Sequence, residues 1–202
     1  QLPEQVELYQ SRFSLYLVPK GTEPEDLSVG AWLELPYNEA SKIQVLENLG
    51  LESFKHCRIA KVHTAVPLFE QLTGRDNGID RWNDFARKLS SMTEKELLKY
   101  KAVAEYERCS SLEQAAELTD RLDQYVFDPV QVTYATYGRE CLEQMGADLE
   151  TQAFRWFDFE GYGKELYSQT GRKLTAYGAV SKEPGLEEVQ SEDHAIMTQG
   201  MG

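Results

Sequence analysis

Sulfur, histidine and basic charge are all scarce in these 202 residues, and each shortage removes a class of protein. The three cysteines, Cys57, Cys109 and Cys141, are odd in number and far apart. That excludes a disulfide framework and fits reduced thiols of a cytoplasmic protein. With three histidines, the closest His/Cys group is His56, Cys57 and His63. Zinc wants ligands in paired short spacings, and adjacent strand residues point to opposite faces, so no metal is expected. No apolar run approaches roughly 18 residues, so no membrane span is expected. No basic segment followed by an apolar one opens the chain, so no secretory signal is expected either. Lys and Arg number 21 against 34 Asp and Glu, a net charge of −13. Nucleic-acid binding and polybasic membrane attachment both rest on cations facing phosphates, so neither direct nucleic-acid binding nor membrane binding fits.

What is present supports packed cores: 41% of the residues are hydrophobic and 11% aromatic, too many for a disordered acidic chain. The acidic excess is also even. Residues 1–67, 68–124 and 125–180 each carry −3, and residues 181–202 carry −4. An even excess belongs to the outer surface, whereas a metal or substrate pocket concentrates its acids.

The same divisions organise the fold, which reads as α+β in three small consecutive domains. In residues 1–67, Phe13, Leu15 and Leu17 alternate as in a strand, and Ala31, Leu33 and Leu35 do so again before Pro36. Asn38 is placed to cap a helix carrying Ile43, Leu46 and Leu49 and ending at Gly50. A third strand fits Cys57–Val66, stopped by Pro67. The expected result is a small antiparallel sheet with one helix. Residues 68–124 read as a helical bundle. Ile79, Trp82, Phe85, Ala86 and Leu89 share one helix face, and capping boxes are expected at Thr93–Glu96 and Ser110–Glu113. Residues 125–180 mix both classes: a strand at Tyr125–Phe127, helices over Val130–Met145 and Leu149–Ser168, and strand character from Arg172 to Val180. Residues 181–202 lose periodicity and read as a flexible acidic tail.

Catalytic signatures are missing from the sequence. Gly161-Tyr162-Gly163-Lys164 lacks the strand and the Ser/Thr of a phosphate loop. Asp76, Asn77, Gly78 and Asp80 resemble part of a calcium loop without its distal Glu. Asp158 and Glu160 form a carboxylate pair of the kind that 34 acids produce by chance. Tyr134, Tyr137, Phe154, Trp156 and Phe157 suggest core packing first and a dimer interface second. No catalytic residue, metal or cofactor is expected, and no enzyme.

The run Trp156-Phe157-Asp158-Phe159-Glu160-Gly161-Tyr162-Gly163-Lys164-Glu165-Leu166 resembles the C-terminal signature of the ArdA antirestriction family. Val29–Pro36, with its Gly-x-Trp, is similar to that family's N-terminal strand, and Thr93–Leu118 to its central helical stretch. The resemblance covers roughly residues 13–180. It implies an elongated homodimer of three small domains per chain, carried by conjugative mobile elements. It also implies a function, in which surface carboxylates imitate DNA phosphates and occupy the DNA-binding groove of type I restriction-modification enzymes. The spacing is compatible. Helix acids at i and i+4 lie about 6 Å apart along the axis, and one DNA strand advances about 3.4 Å per phosphate.

The candidate mimic carboxylates are Asp76, Asp80, Asp84, Glu94, Glu96, Glu113, Glu117, Asp120, Asp123, Asp148, Glu150, Asp158, Glu160 and Glu165. Residues 94–108 hold four acids and four bases, which by itself suggests an ion-paired helix surface. The alternative reading is a non-catalytic protein-interaction module of a mobile element that shares the fold without mimicry.

Overall fold

A computed structural model describes residues 11–64, 66–70, 72 and 78–183. The chain is α+β, and it divides into two compact units, one ending at Asp120 and the other starting at Arg121.

The first unit is built on a three-stranded antiparallel sheet. Its central strand β1 (Phe13–Pro19) pairs with β2 (Ala31–Leu35) and β3 (Cys57–Thr64). The period-two pattern sends Phe13, Leu15, Leu17, Leu33 and Leu35 to the buried face. A register shift beside Tyr16 and Leu17 pairs Tyr16 with Lys61 but Leu17 with Ile59. Ala60 is therefore the extra residue of a bulge, and Ile59 stays buried. Helix α1 (Glu39–Leu49) starts where the Asn38 side chain accepts from Ser41 N at 2.9 Å. It ends at Gly50, which is left-handed at φ 64. Ile43 was expected on its inner face but is exposed; Val45 and Leu46 are the buried pair.

Pro67 does more than stop a strand. It opens the short helix α2 (Pro67–Glu70), a position where its missing N–H costs nothing. Helix α3 (Ile79–Ser91) buries the predicted face of Ile79, Trp82, Phe85, Ala86 and Leu89. It also buries Asn83, whose Oδ1 accepts from Tyr37 N at 2.9 Å. Phe13 sits 5.4 Å from Phe69, 5.4 Å from Phe85 and 5.8 Å from Trp82, centroid to centroid. The core thus draws on both sides of residue 67. Helix α4 (Glu94–Tyr106) has the full capping box of Thr93 and Glu96. Helix α5 (Leu112–Leu118) is capped by Ser111, whose Oγ accepts from Gln114 N, while Gln114 Oε1 accepts from Ser110 N. The cap is thus Ser111 in place of the expected Ser110, and Gln114 returns to the Ser110 N–H without completing a box. Tyr100 donates to Ala115 O at 2.6 Å and ties α4 to α5.

The second unit holds β4 (Tyr125–Asp128), α6 (Tyr134–Gln144), α7 (Phe159–Ser168), β5 (Lys173–Leu174) and β6 (Ala179–Lys182). The sheet order is β4-β6-β5, all antiparallel. Both helices are shorter than their apolar content suggests, because a capping side chain intervenes. Thr133 takes Thr136 N, and Asp158 takes Gly161 N at 2.9 Å, so residues 149–158 form turns and a short 3-10 segment. The Arg172–Val180 strand is a hairpin, turned where Thr175 Oγ1 meets Gly178. Ser181 and Lys182 belong to β6, Glu183 N donates to Gln124 O at 2.9 Å, and residues 184–202 of the expected acidic tail lie outside the described residues.

Helices α6 and α7 cross in close contact through two glycines. A Cβ on Gly163 would stand 1.9 Å from Tyr134 O, and one on Gly138 would stand 2.5 Å from Phe159 O. Only hydrogen fits at either place.

Candidate functional site

Of the fourteen candidate carboxylates, Asp76 lies outside the described residues. All of the other thirteen are exposed. In the first unit, Asp80 and Asp84 stand at i,i+4 on α3, and Glu113 and Glu117 do the same on α5, each pair separated by about 6 Å along the axis. Glu94 and Glu96 occupy the first turn of α4, where the helix dipole favours anions. In the second unit, Asp123 sits in a short 3-10 segment (Leu122–Gln124), Asp148 precedes the turn that holds Glu150, and Asp158, Glu160 and Glu165 cap or ride on α7.

Several of these groups have local work. Glu96 accepts from the Thr93 backbone N–H and hydroxyl, both at 2.8 Å, and these bonds hold its pKa below the ordinary glutamate range. Asp148 accepts from Glu150 N at 3.1 Å, and Asp158 caps α7. Asp80 accepts from the Tyr37 hydroxyl at 3.1 Å. All four remain exposed at the surface. Asp120 is ion-paired with Lys88 at 2.9 Å. Asp84, Glu94, Glu113, Asp123, Glu150, Glu160 and Glu165 form no ion pair among the described residues. Two further exposed acids belong beside them. Glu140 and Glu143 stand at i,i+3 on α6, a spacing readable in the sequence once the helix is placed.

The cations are distributed differently, and nothing in the linear spacing signalled it. Lys101, counted above among the surface bases of residues 94–108, is 0% exposed. Lys99 is half-buried. The Arg139 guanidinium lies over the Phe159 ring at 4.0 Å, and that of Arg155 over Trp156 at 5.5 Å. Arg172 pairs with Asp128 at 3.4 Å. Lys20, Lys42, Lys55 and Arg58 line one cleft of about 690 Å³. Arg12, Lys61, Arg81, Arg87, Lys95, Arg108, Arg121, Lys164 and Lys173 remain exposed.

The other motifs resolve into structure. Cys57 is buried in β3 while His56 is exposed, and His63 faces Trp32 on the outer side of the sheet at 6.3 Å between rings. Among the described residues, no three His, Cys, Asp or Glu side chains come together as metal ligands do, and no helix is long and apolar enough to cross a membrane. Tyr134 and Tyr137 pack on Tyr167, and Phe154 on Phe159. Trp156 stands 88% exposed.

Outward carboxylates on an α+β scaffold of net charge −13 define a class: proteins that present an acidic surface. The family model for the ArdA antirestriction protein matches residues 27–181. That span is most of the chain, and the protein belongs to the ArdA antirestriction family. Comparison with curated proteins found no match.

Proposed function

We propose that the protein inhibits a type I restriction-modification enzyme by placing its carboxylates where that enzyme's DNA-binding groove expects phosphates. The inhibitor acts by binding alone, with no catalytic step, and as a homodimer it presents two copies of the acidic surface. One observation carries this reading: all thirteen described candidate acids are exposed and seven of them form no ion pair among the described residues, while some of the cations are buried, stacked on rings, ion-paired or gathered in one cleft. A groove built to attract DNA is lined with Lys and Arg and gains from any surface that supplies anions at comparable spacing. The effect is a summed field. Neutralising one carboxylate is expected to change affinity by less than about tenfold, or about 1.4 kcal/mol.

The test is displacement. The protein is titrated against a type I methyltransferase bound to labelled DNA, at two salt concentrations. Mimicry predicts release of DNA at stoichiometric protein in low salt and weaker release in high salt. Failure of folded protein to release DNA from methyltransferases of several type I families at low salt refutes the proposal.

A further inference from the structure

We propose that the cleft walled by β3, α1 and the first turn of α3 binds a small polyphosphate-bearing ligand. Four cations, Lys20, Lys42, Lys55 and Arg58, line it against one carboxylate among the described residues, that of Asp80. Only six bases occur in residues 1–67, so most of that stretch's positive charge meets in one concavity of about 690 Å³. The backbone enforces this. Lys20 N donates to His56 O at 2.7 Å, which brings the end of β1 beside Lys55.

The charges are poorly compensated from within. Lys20 and Lys55 have no carboxylate partner among the described residues. Lys42 reaches Glu39 only at 3.9 Å, and Arg58 Nη2 donates to Thr22 O at 3.4 Å. The Asp80 carboxylate is already engaged by the Tyr37 hydroxyl. Like charges around a concavity repel each other until an anion fills it. Gly78 and Ile79 also line the cleft, and α3 starts there with no side-chain cap, adding backbone N–H groups to the donors. The rings of Tyr37 and Phe54, 5.4 Å apart and edge-to-face, form an aromatic wall suited to a nucleobase. In a chain of net −13, the long-range field repels anions, so only a compact ligand with several charges gains enough at short range.

The experiment is calorimetric titration of the full chain with tripolyphosphate, ATP and adenosine at matched ionic strength. Tripolyphosphate and ATP are expected to bind and adenosine is not. ATP binding more tightly than tripolyphosphate identifies a nucleotide as the source of the phosphates, and equal affinities identify the phosphate chain itself. The variant Lys20→Glu/Lys55→Glu alters two exposed side chains with no carboxylate partner among the described residues and is expected to lose roughly tenfold or more in affinity. Lys95→Glu/Lys164→Glu makes the same change in net charge away from the cleft and is expected to retain binding within about threefold. The proposal is overturned if neither phosphate compound binds at millimolar concentration, if adenosine binds as well as ATP, or if both variants weaken binding equally.

Discussion

Gly163→Ala is the sharpest test of the second unit, because intrinsic propensity and packing predict opposite signs. In an ordinary helix interior the change stabilises by about 1 kcal/mol. Here the new methyl would stand 1.9 Å from Tyr134 O and 3.0 Å from Gly138 N. Both neighbours are backbone, so no side chain can rotate away. Helices α6 and α7 must separate by more than an ångström, loosening the packing of Tyr137 on Tyr167 at 4.9 Å. Overpacking of this kind costs about 3 kcal/mol or somewhat more where the neighbour is rigid. Subtracting the propensity gain leaves about 2–3 kcal/mol of destabilisation, or a fall on the order of 10 °C in the Tm of so small a unit. Urea unfolding followed by far-UV circular dichroism and by tryptophan fluorescence would resolve it, since Trp156 belongs to this unit and Trp32 and Trp82 to the other. Gly138→Ala should behave similarly through Phe159 O, and the double variant should cost less than the sum, because one separation admits both methyls. A Gly163→Ala protein as stable as the parent, or more so, refutes the close crossing.

Three other outcomes are expected. Trp82 is 0% exposed and its Nε1 has no hydrogen-bond partner among the described residues, so Trp82→Phe should cost only the lost volume, about 1–2 kcal/mol, while Trp82→Ala should cost about 3–5 kcal/mol by chemical denaturation. Thr93→Ala removes the N-cap hydroxyl and should cost about 1 kcal/mol, with the Glu96 carboxyl moving back up toward its ordinary pKa in an NMR titration. Tyr100 has its pKa pushed well above the ordinary 10.0, first by burial and then by Cys109, so its neutral form stabilises the fold. That contribution is complete below pH 10 and is lost as pH rises toward the higher folded value. Tyr100→Phe should lose about 1 kcal/mol at neutral pH, with its bond to Ala115 O, and should show a shallower stability loss above pH 10.

How far the sequence is legible follows from how local each signal is. Caps and periodicity depend on residues within one or two turns, and Asn38, Thr93, Gly50 and the inner face of α3 all stand as read. Errors came where a polar side chain outcompeted an apolar pattern: Asp158 starts a helix inside a stretch that reads as continuously helical, and Thr175 turns a hairpin inside a stretch that reads as one strand. The carboxylate surface was legible because exposed acids need no partner to be exposed. The placement of the cations was not. Lys101 sits at the core, and Lys20, Lys42, Lys55 and Arg58 converge only after three elements pack.

That asymmetry changes what the net charge means for a basic groove. Screening limits the groove to charges within about 8–10 Å at physiological salt, so a cation buried, stacked or ion-paired weakens the field less than one beside the acids. On this reasoning α3 contributes little, because the exposed Arg87 follows Asp80 and Asp84 along the same face, at i+3 from Asp84. Helix α5 has no base among its residues, and the one base of α6, Arg139, lies over Phe159. Neutralising Glu113, Glu140 and Glu143 together should therefore weaken displacement of DNA from the methyltransferase severalfold more than Asp80→Asn/Asp84→Asn, even after scaling for the number of charges removed. Equal loss per charge at both places would mean that only total charge matters. A larger loss from α3 would show that the acidic surface is read in a different place.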